Sequence, residues 1–285
     1  MSDLTKISNI KALFEENGFT FSKALGQNFI INPSVCPKIA EMGGARGAGV
    51  IEIGTGIGVL TSELAKVAEK VVAVEIDARL LPILDKTLAE FNNIKIINAD
   101  VMKTDLRKII SEEFQGLDVV VCANLPYYIT SPILMKLLED RLPVRSITVM
   151  VQREAADRIC AKLGTREAGA VTVAVNYFST PTKLFDVSRG SFMPSPNVDS
   201  AVIRLDVNDK TPLSPEAEKL FFKAVKAAFG QRRKTLANSL CGGLGKSKDE
   251  ISKILKKAEI PLNSRAEQLE MDDFLRLSYA LSETA

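Results

Sequence analysis

The stretch ANLPYYITSP, Ala123 to Pro132, sets an Asn, a Pro and two Tyr between an apolar run and a helix start. A turn with some packing is the plain reading of such a loop. The sharper one is a pocket that grips a flat, amine-bearing ring. The Asn124 side-chain carbonyl and the Leu125 backbone carbonyl offer two acceptors, Pro126 stiffens the loop, and Tyr127 presents a face on which a base can stack. Such stacking is worth about 1–3 kcal/mol. An adenine amine is a poor nucleophile because its lone pair is delocalised into the ring. Two acceptors that hold its N–H bonds out of the ring plane return lone-pair density to nitrogen, with no prior removal of a proton. A base buried in a duplex cannot reach such a loop, so it must be unpaired or flipped out.

A second cluster lies upstream. EIGTGIG, residues 52 to 58, follows an apolar β-branched run and precedes a helical stretch. Its glycines let the backbone turn sharply and approach a ligand closely. Gly54 and Gly56 fit the start of a dinucleotide fingerprint, but Val59 stands at the third site, so the spacing is GxGxG and argues against NAD. Glu75 closes the next apolar run and suits the hydroxyls of a ribose; Asp100 closes the third and suits an adenine amine. Taken singly, each acid reads as a helix N-cap. Taken with the glycine loop on consecutive strand ends, they describe a nucleoside site at the carboxyl edge where open α/β sheets bind ligands. The spacing suits a nucleoside without a pyrophosphate, and S-adenosylmethionine is such a ligand.

The elements that must carry these loops follow from periodicity. GVIEIG, VVAVEI, IKIINAD, DVVVCANLP and SITVMVQ read as strands, and LTSELAKVAEK, DARLLPILDKTLAEF and PILMKLLED as helices between them. This alternation predicts an α/β fold with a doubly wound, largely parallel, Rossmann-like sheet. AVTVAVNYFS and SAVIRLDV read as further strands that complete it. Ser131 is expected to cap the helix after the Asn124 loop, with Pro132 at its first position. Residues 208–218, NDKTPLSPEAE, read as a linker. Beyond it EKLFFKAVKAAF, KDEISKILKKAEI and MDDFLRLSYALSE have helical spacing. Two domains are therefore expected: residues 1–207, carrying the sheet, and residues 208–285, all helical.

Composition narrows the chemistry. The chain has 285 residues, a net charge of +2, four cysteines and no histidine. No CxxC pair is present, so zinc sites and Ser-His or Cys-His catalysis are excluded and no metal is expected. The scattered cysteines suit a reducing, cytoplasmic setting. The charged N-terminal stretch lacks the apolar core of a signal peptide, and no apolar run reaches membrane-spanning length. With so small a net charge, an anionic partner must be met by a local patch.

With these motifs in place, the chain resembles class I methyltransferases that modify the amino groups of bases. LGQNFIIN (25–32), SFMPSPNVDSAVIRL (191–205) and FGQRRKTLANSL (229–240) narrow the resemblance to the ribosomal RNA adenine dimethyltransferase family, in its small-subunit (16S) branch. The resemblance covers almost the whole chain. It implies an S-adenosylmethionine-dependent enzyme that dimethylates two neighbouring adenosines near the 3′ end of 16S rRNA during assembly of the small (30S) subunit, acting as a monomer. It implies that Gln27, Asn28 and Ile30 close the cofactor site from its N-terminal side and that Gly54 and Gly56 lie under the methionine moiety. Glu75 would hold the ribose and Asp100 the adenine. Asn124 would serve both cofactor and target base, Tyr127 would stack on that base, and Phe192 would pack on its other face. Ile30 stands where the family usually has Leu, and the N-terminal arm is less basic than is common there.

Arg232, Arg233 and Lys234 stand in a row, with Lys223 and Lys226 upstream on a helical face. A solvated helix end is the plain reading of such a run; the resemblance favours contact with RNA phosphates. Rival readings are the related large-subunit rRNA adenine methylase, a non-catalytic RNA-binding factor on the same fold, and a dehydrogenase. The QRRKTLANSL segment, the intact Asn124–Tyr127 loop and the GxGxG spacing respectively stand against them.

Overall fold

The structure is a computed structural model that describes residues 4–22, 25–209, 212–231 and 233–283. Its strands are β1 (Phe29–Ile30), β2 (Gly49–Ile53), β3 (Lys70–Glu75), β4 (Ile94–Asn98), β5 (Val119–Asn124), β6 (Ser146–Gln152), β7 (Ser179–Val187), β8 (Phe192–Met193) and β9 (Ser200–Val207). The helices are α1 (Ile7–Glu16), α2 (Val35–Met42), α3 (Val59–Ala65), α4 (Leu81–Thr87), α5 (Leu106–Glu113), α6 (Thr130–Glu139), α7 (Arg153–Ile159), α8 (Ala170–Phe178), α9 (Pro215–Phe229), α10 (Leu236–Leu244), α11 (Lys248–Lys257) and α12 (Met271–Ser282).

Seven strands form one sheet in the order β4-β3-β2-β5-β6-β9-β7, while β1 and β8 pair separately. Pairings from β4 through β6 are parallel and β9 runs antiparallel to β6. Every residue of β2 is buried. Strands β2, β5 and β6 are buried almost throughout and read as near-continuous apolar runs, as parallel strands covered on both faces do, while β4 at the edge is partly exposed. The order runs one way from β2 to β4 and the other way from β5 to β6, so β2 and β5 flank the switch point of the sheet.

The chain divides into two compact units, Met1–Ala156 with Thr182–Val207, and Asp157–Pro181 with Asn208–Ala285. The chain thus leaves the sheet unit at Val207 and also earlier, for Asp157–Pro181. That earlier excursion contains the main departure from the expected elements. AVTVAVNYFS, read above as a strand, is the helix α8. Six of its nine residues are buried, so the amphipathic stripe that marks a helix is missing. Thr172 pins its start: the hydroxyl accepts from Gly169 N at 2.8 Å and donates to Arg158 O at 2.7 Å. In the helical unit the Tyr177 ring packs 4.7 Å from Phe221 of α9, and its hydroxyl donates to Glu218 at 2.8 Å. The strand that ends the sheet is instead the next segment, STPTKLFDV, with Pro181 tolerated because β7 is an edge. A smaller departure concerns α6, which begins at Thr130 after a 3₁₀ turn over Tyr127–Ile129, so Ser131 and Pro132 lie inside it. Thr130 Oγ1 donates back to Pro126 O at 3.1 Å, which closes the turn.

One polar group sits at the centre of the sheet. Glu52 of β2 has no exposed surface, and neither carboxyl oxygen has a hydrogen-bond partner among the described residues. Burial pushes its pKa up to about 8; the nearby Thr61 hydroxyl, short of hydrogen-bond geometry, offsets part of the rise and Glu75 adds to it. Glu52 is therefore largely neutral in the fold at pH 7. Its proton is bound in the native chain between its ordinary value of 4.5 and about 8. The stability this confers is complete below the lower value and lost as pH rises through the upper one. Each pH unit in that window is worth about 1.4 kcal/mol. Glu52→Gln, of equal shape and uncharged, should be close to wild type in urea melts at about pH 5 and more stable by about 3–4 kcal/mol at pH 8. Parallel pH profiles for the two proteins would contradict a protonated Glu52.

Candidate active site

The parallel register places Ile53 opposite Ala123 and Val74, so the segments that follow β2, β3 and β5 emerge side by side. They line an open cleft together with the N-terminal segment 25–30 and Phe192.

The glycine loop forms its floor. Gly56 has φ +56°, and a Cβ there would stand 2.9 Å from Phe29 Cδ1, so no larger residue fits without displacing the ring. Phe29 is itself held in a cluster with Phe14 and Phe21, with centroids at 5.6 Å from each. Phe14 comes from α1, which ties the N-terminal helix to the floor of the cleft.

Glu75 stands at the end of β3 and is 4 % exposed. Its Oε2 accepts from Thr55 Oγ1 at 2.9 Å and Gly56 N at 3.3 Å, and its Oε1 from Asp77 N at 2.8 Å. A carboxylate has about four acceptor sites, so one remains for a ligand hydroxyl. Ile76, next in sequence, lines the cleft while 53 % exposed.

A strap closes the N-terminal side. Gln27 Nε2 donates to Asp77 Oδ2 at 2.7 Å while Gln27 Oε1 accepts from Ser22 N at 2.8 Å. Arg79 grips the same carboxylate with Nε on Oδ1 at 2.8 Å and Nη2 on Oδ2 at 2.6 Å. The Arg79 hydrogen bonds, aided by Gln27, hold the Asp77 carboxyl below the usual range, so it remains an acceptor at neutral pH. Gln27 thus shapes the cleft by fixing the segment that carries Asn28 and Ile30, both of which line it. Ile30 pairs with Phe192 across the β1–β8 ladder, which brings Phe192 to the wall.

Asn124 ends β5. Its Nδ2 donates to Asn28 O at 3.4 Å. That partner can only accept, so the amide is oriented with Oδ1 as the acceptor left over. The Pro126 carbonyl is already taken by Ile129 N at 3.2 Å and by Thr130 Oγ1. With two donors already on it, the Pro126 carbonyl has no lone pair left for a further partner. Tyr127 is half-buried, and its hydroxyl pairs with Ser200 Oγ at 2.7 Å, which fixes the ring plane. Burial raises its pKa, with the Ser200 bond acting the other way, so the phenol is neutral at physiological pH.

Asp100 is the expected residue that does not join the others. It does not line the cleft. Its Oδ1 accepts from Met102 N at 2.9 Å, and its backbone carbonyl accepts from Thr104 Oγ1 at 2.8 Å. This is the capping role that an acid after a strand often takes. Sequence reasoning missed Thr55, Ile76, Asp77, Arg79 and Ser200. Ile76 had a signal, an apolar residue directly after the strand-end acid. Thr55, Asp77 and Ser200 act through contacts distant in sequence, while Arg79 grips Asp77 two residues before it.

In the helical unit, Arg233 and Lys234 are exposed in the turn between α9 and α10, where Lys234 N donates to Gln231 O at 3.0 Å. Arg232 lies outside the described residues. Lys223 and Lys226 are exposed on α9, one turn apart. Among the described residues no group of His, Cys, Asp or Glu could hold a metal ion, and no helix is long and apolar enough to cross a membrane.

Among the described residues, the cleft walls include one carboxylate and neither Lys nor Arg. That donor set fits a cationic nucleoside such as S-adenosylmethionine and offers no side-chain cation to a pyrophosphate.

Comparison with known proteins agrees with this geometry. The chain is 48 % identical to the ribosomal RNA small subunit methyltransferase A of Geobacillus sp. (strain WCH70), over 98 % of both chains. It is 49 % identical to the protein of that name from Bacillus mycoides (strain KBAB4), over 99 % of this chain and 98 % of the relative. Among solved structures, a dimethyladenosine transferase from Plasmodium falciparum superposes with a TM-score of 0.75 at 28 % identity, covering 90 % of this chain and 98 % of its own. The 23S rRNA methyltransferase ErmE does so with a TM-score of 0.68 at 27 % identity, over 90 % and 100 %. The family model described as ribosomal RNA adenine dimethylase matches residues 18–283. The chain belongs to the ribosomal RNA adenine dimethylase family.

Proposed function

We propose that this chain dimethylates the N6 amines of two adjacent adenosines near the 3′ end of 16S rRNA, within the small (30S) ribosomal subunit, with S-adenosylmethionine as methyl donor. It acts in the cytoplasm as a monomer, during small-subunit biogenesis. The observation that carries this reading is Asn124, whose amide is oriented by Asn28 so that its oxygen is left to accept from an amine, beside the glycine loop.

S-adenosylmethionine supplies a methyl group on a positively charged sulfur. Gly54 and Gly56 leave room for its methionine part, Glu75 takes a ribose hydroxyl, and Ile76 offers the adenine an apolar face. Asp100 would meet the adenine amine with Oδ2, the oxygen that does not cap the 101–104 turn. On the acceptor side, Asn124 Oδ1 and the Leu125 carbonyl take the two N–H bonds of the target amine and aim its lone pair away from the ring. Tyr127 and Phe192 hold the base between them. The chain's contribution is positioning and preorganised dipoles, which cost no reorganisation during the reaction. The helical unit, with its exposed lysines and the 232–234 run, meets RNA phosphates.

The direct test is incubation with labelled S-adenosylmethionine and under-methylated 30S particles, followed by nucleoside analysis. N6,N6-dimethyladenosine at two adjacent positions of 16S rRNA is expected. Label in 23S rRNA in a parallel incubation with 50S particles, or none in either RNA, would overturn the assignment.

Asn124→Ala should lower single-turnover methyl transfer by roughly 100-fold, about 3 kcal/mol, while donor affinity stays within a few-fold. A wild-type rate would remove the amide from the mechanism. Tyr127→Phe should lose about 3- to 10-fold, since it keeps the stacking face but gives up the bond to Ser200. Tyr127→Ala should lose far more.

Replacing Arg232, Arg233 and Lys234 together by Ala should weaken 30S binding and make it less sensitive to salt. Each lost phosphate contact lowers the magnitude of the log K against log salt slope by roughly 0.7–0.9. Donor affinity should not change. An unaltered slope in binding titrations at several salt concentrations would place the RNA surface elsewhere.

A further inference from the structure

The second tyrosine of the loop has no part in the scheme above. Tyr128 follows Tyr127 in the same 3₁₀ turn and also lines the cleft. Yet it is 61 % exposed, the highest value among the exposed large apolar side chains of the described residues. Ile76, at 53 %, stands at the mouth of the same cleft. Apolar surface left open at the rim of a pocket marks a contact made by a ligand. The ring is nonetheless placed. Gly26 has φ +59°, and a Cβ there would come within 3.2 Å of Tyr128 Cδ1, so the backbone of the N-terminal segment supports the ring along one edge. The rest of the ring faces outward.

The substrate explains what that face is for. The two adenosines are neighbours in one strand. When the base of one is held against Tyr127, the other lies a single nucleotide away, outside the cleft and separated from the base it would otherwise stack upon. An unstacked base next to an exposed aromatic ring stacks on it, whatever its identity. We infer that Tyr128 is the platform for the adenosine next to the one being methylated, so that the two tyrosines of the loop hold the two adjacent adenosines, one inside the cleft and one at its mouth. This rests on the adjacent-adenosine reading proposed above. Tyr128 is a substrate-positioning residue: it holds the flanking nucleotide while its neighbour reacts, and keeps the strand engaged when the register moves by one.

The test uses the full-length enzyme and 30S particles reconstituted with 16S rRNA in which one of the two adenosines is replaced by 2-aminopurine. That base is fluorescent, is quenched by stacking and lacks the 6-amino group, so it cannot be the base that is methylated, and methylation of the remaining adenosine marks it as the flanking one. Wild type should quench it on binding and methylate the remaining adenosine. Tyr128→Ala should lose the quench and raise KM for the RNA by about tenfold, within the range of one stacked base, with the loss falling on KM more than on kcat. Its donor affinity by calorimetry and its melting temperature should match wild type. Tyr128→Phe and Tyr128→Trp should restore both quench and KM. An unchanged quench and KM in Tyr128→Ala would overturn the inference. So would a Phe variant that behaves like Ala, or a fall in donor affinity that accounts for the loss and makes the ring a latch on the 25–28 segment. If wild type fails to methylate unsubstituted 30S particles at either adenosine, the proposed function itself falls, and the control shows this separately.

Discussion

The parallel pairing of β2 with β5 is the constraint on which the site depends. Ile53 lies opposite Ala123, and the next residues are Gly54 on one strand and Asn124 on the other. A Cβ built on Gly54 would sit 3.9 Å from the Asn124 backbone oxygen. The glycine loop and the Asn124 loop are thus fixed side by side by ladder hydrogen bonds between two buried strands. A slip of one residue would turn every side chain of β5 to the other face of the sheet. The crossovers leave β2 and β5 in opposite directions, so the crevice between them is not filled by a connecting helix.

What the sheet leaves open, the N-terminal segment completes. Its attachment is divided between apolar and polar contacts. Phe14, Phe19, Phe21 and Phe29 interlock at centroid distances of 4.8–6.5 Å and anchor α1 and β1. The Gln27–Asp77–Arg79 linkage then sets the height of the strap above the β3 end, with the Arg79 guanidinium lying 5.2 Å over the Phe19 ring. Buried aromatic contacts supply most of the binding free energy of such a segment, while the charge-assisted hydrogen bonds determine its position. Asn28, delivered by this strap, orients Asn124. The orientation of the Asn124 amide therefore depends on a segment nearly a hundred residues upstream in the chain.

The parts that were legible in the sequence are those governed by local rules. Strand ends bearing Gly54, Glu75 and Asn124 stand out because parallel strands are continuous apolar runs and their loops are not. Helix α8 was misread because a helix buried nearly all round has no periodic stripe, and AVTVAVNYF is rich in β-branched residues. Strand β7 was missed because Thr, Pro and Lys at an edge look like a loop. The assignment of Asp157–Pro181 to the helical unit follows from where Tyr177 and Phe178 find aromatic partners, which no local pattern encodes. Asp100 shows the opposite limit: an acid at the right strand end also satisfies the turn after it with one oxygen, which the spacing alone does not show. Ser200 and Asp77 were invisible because a hydroxyl or carboxylate gives no sign in sequence of a partner many residues away.

In the proposed function, donor and acceptor sites meet at one edge of the sheet, close enough to act as a single cavity. A bisubstrate compound tests it most directly, with the adenosine N6 nitrogen joined by a short linker to the sulfur end of the donor nucleoside. If both halves engage together, the second binds at the effective concentration set by the linker, and the compound should bind tighter than S-adenosylhomocysteine by roughly 100-fold or more. Asn124→Ala should remove that gain and leave the affinity of the donor half. A bisubstrate compound that binds no tighter than S-adenosylhomocysteine, or one whose gain survives Asn124→Ala, would contradict the convergence of the two loops on one reaction centre.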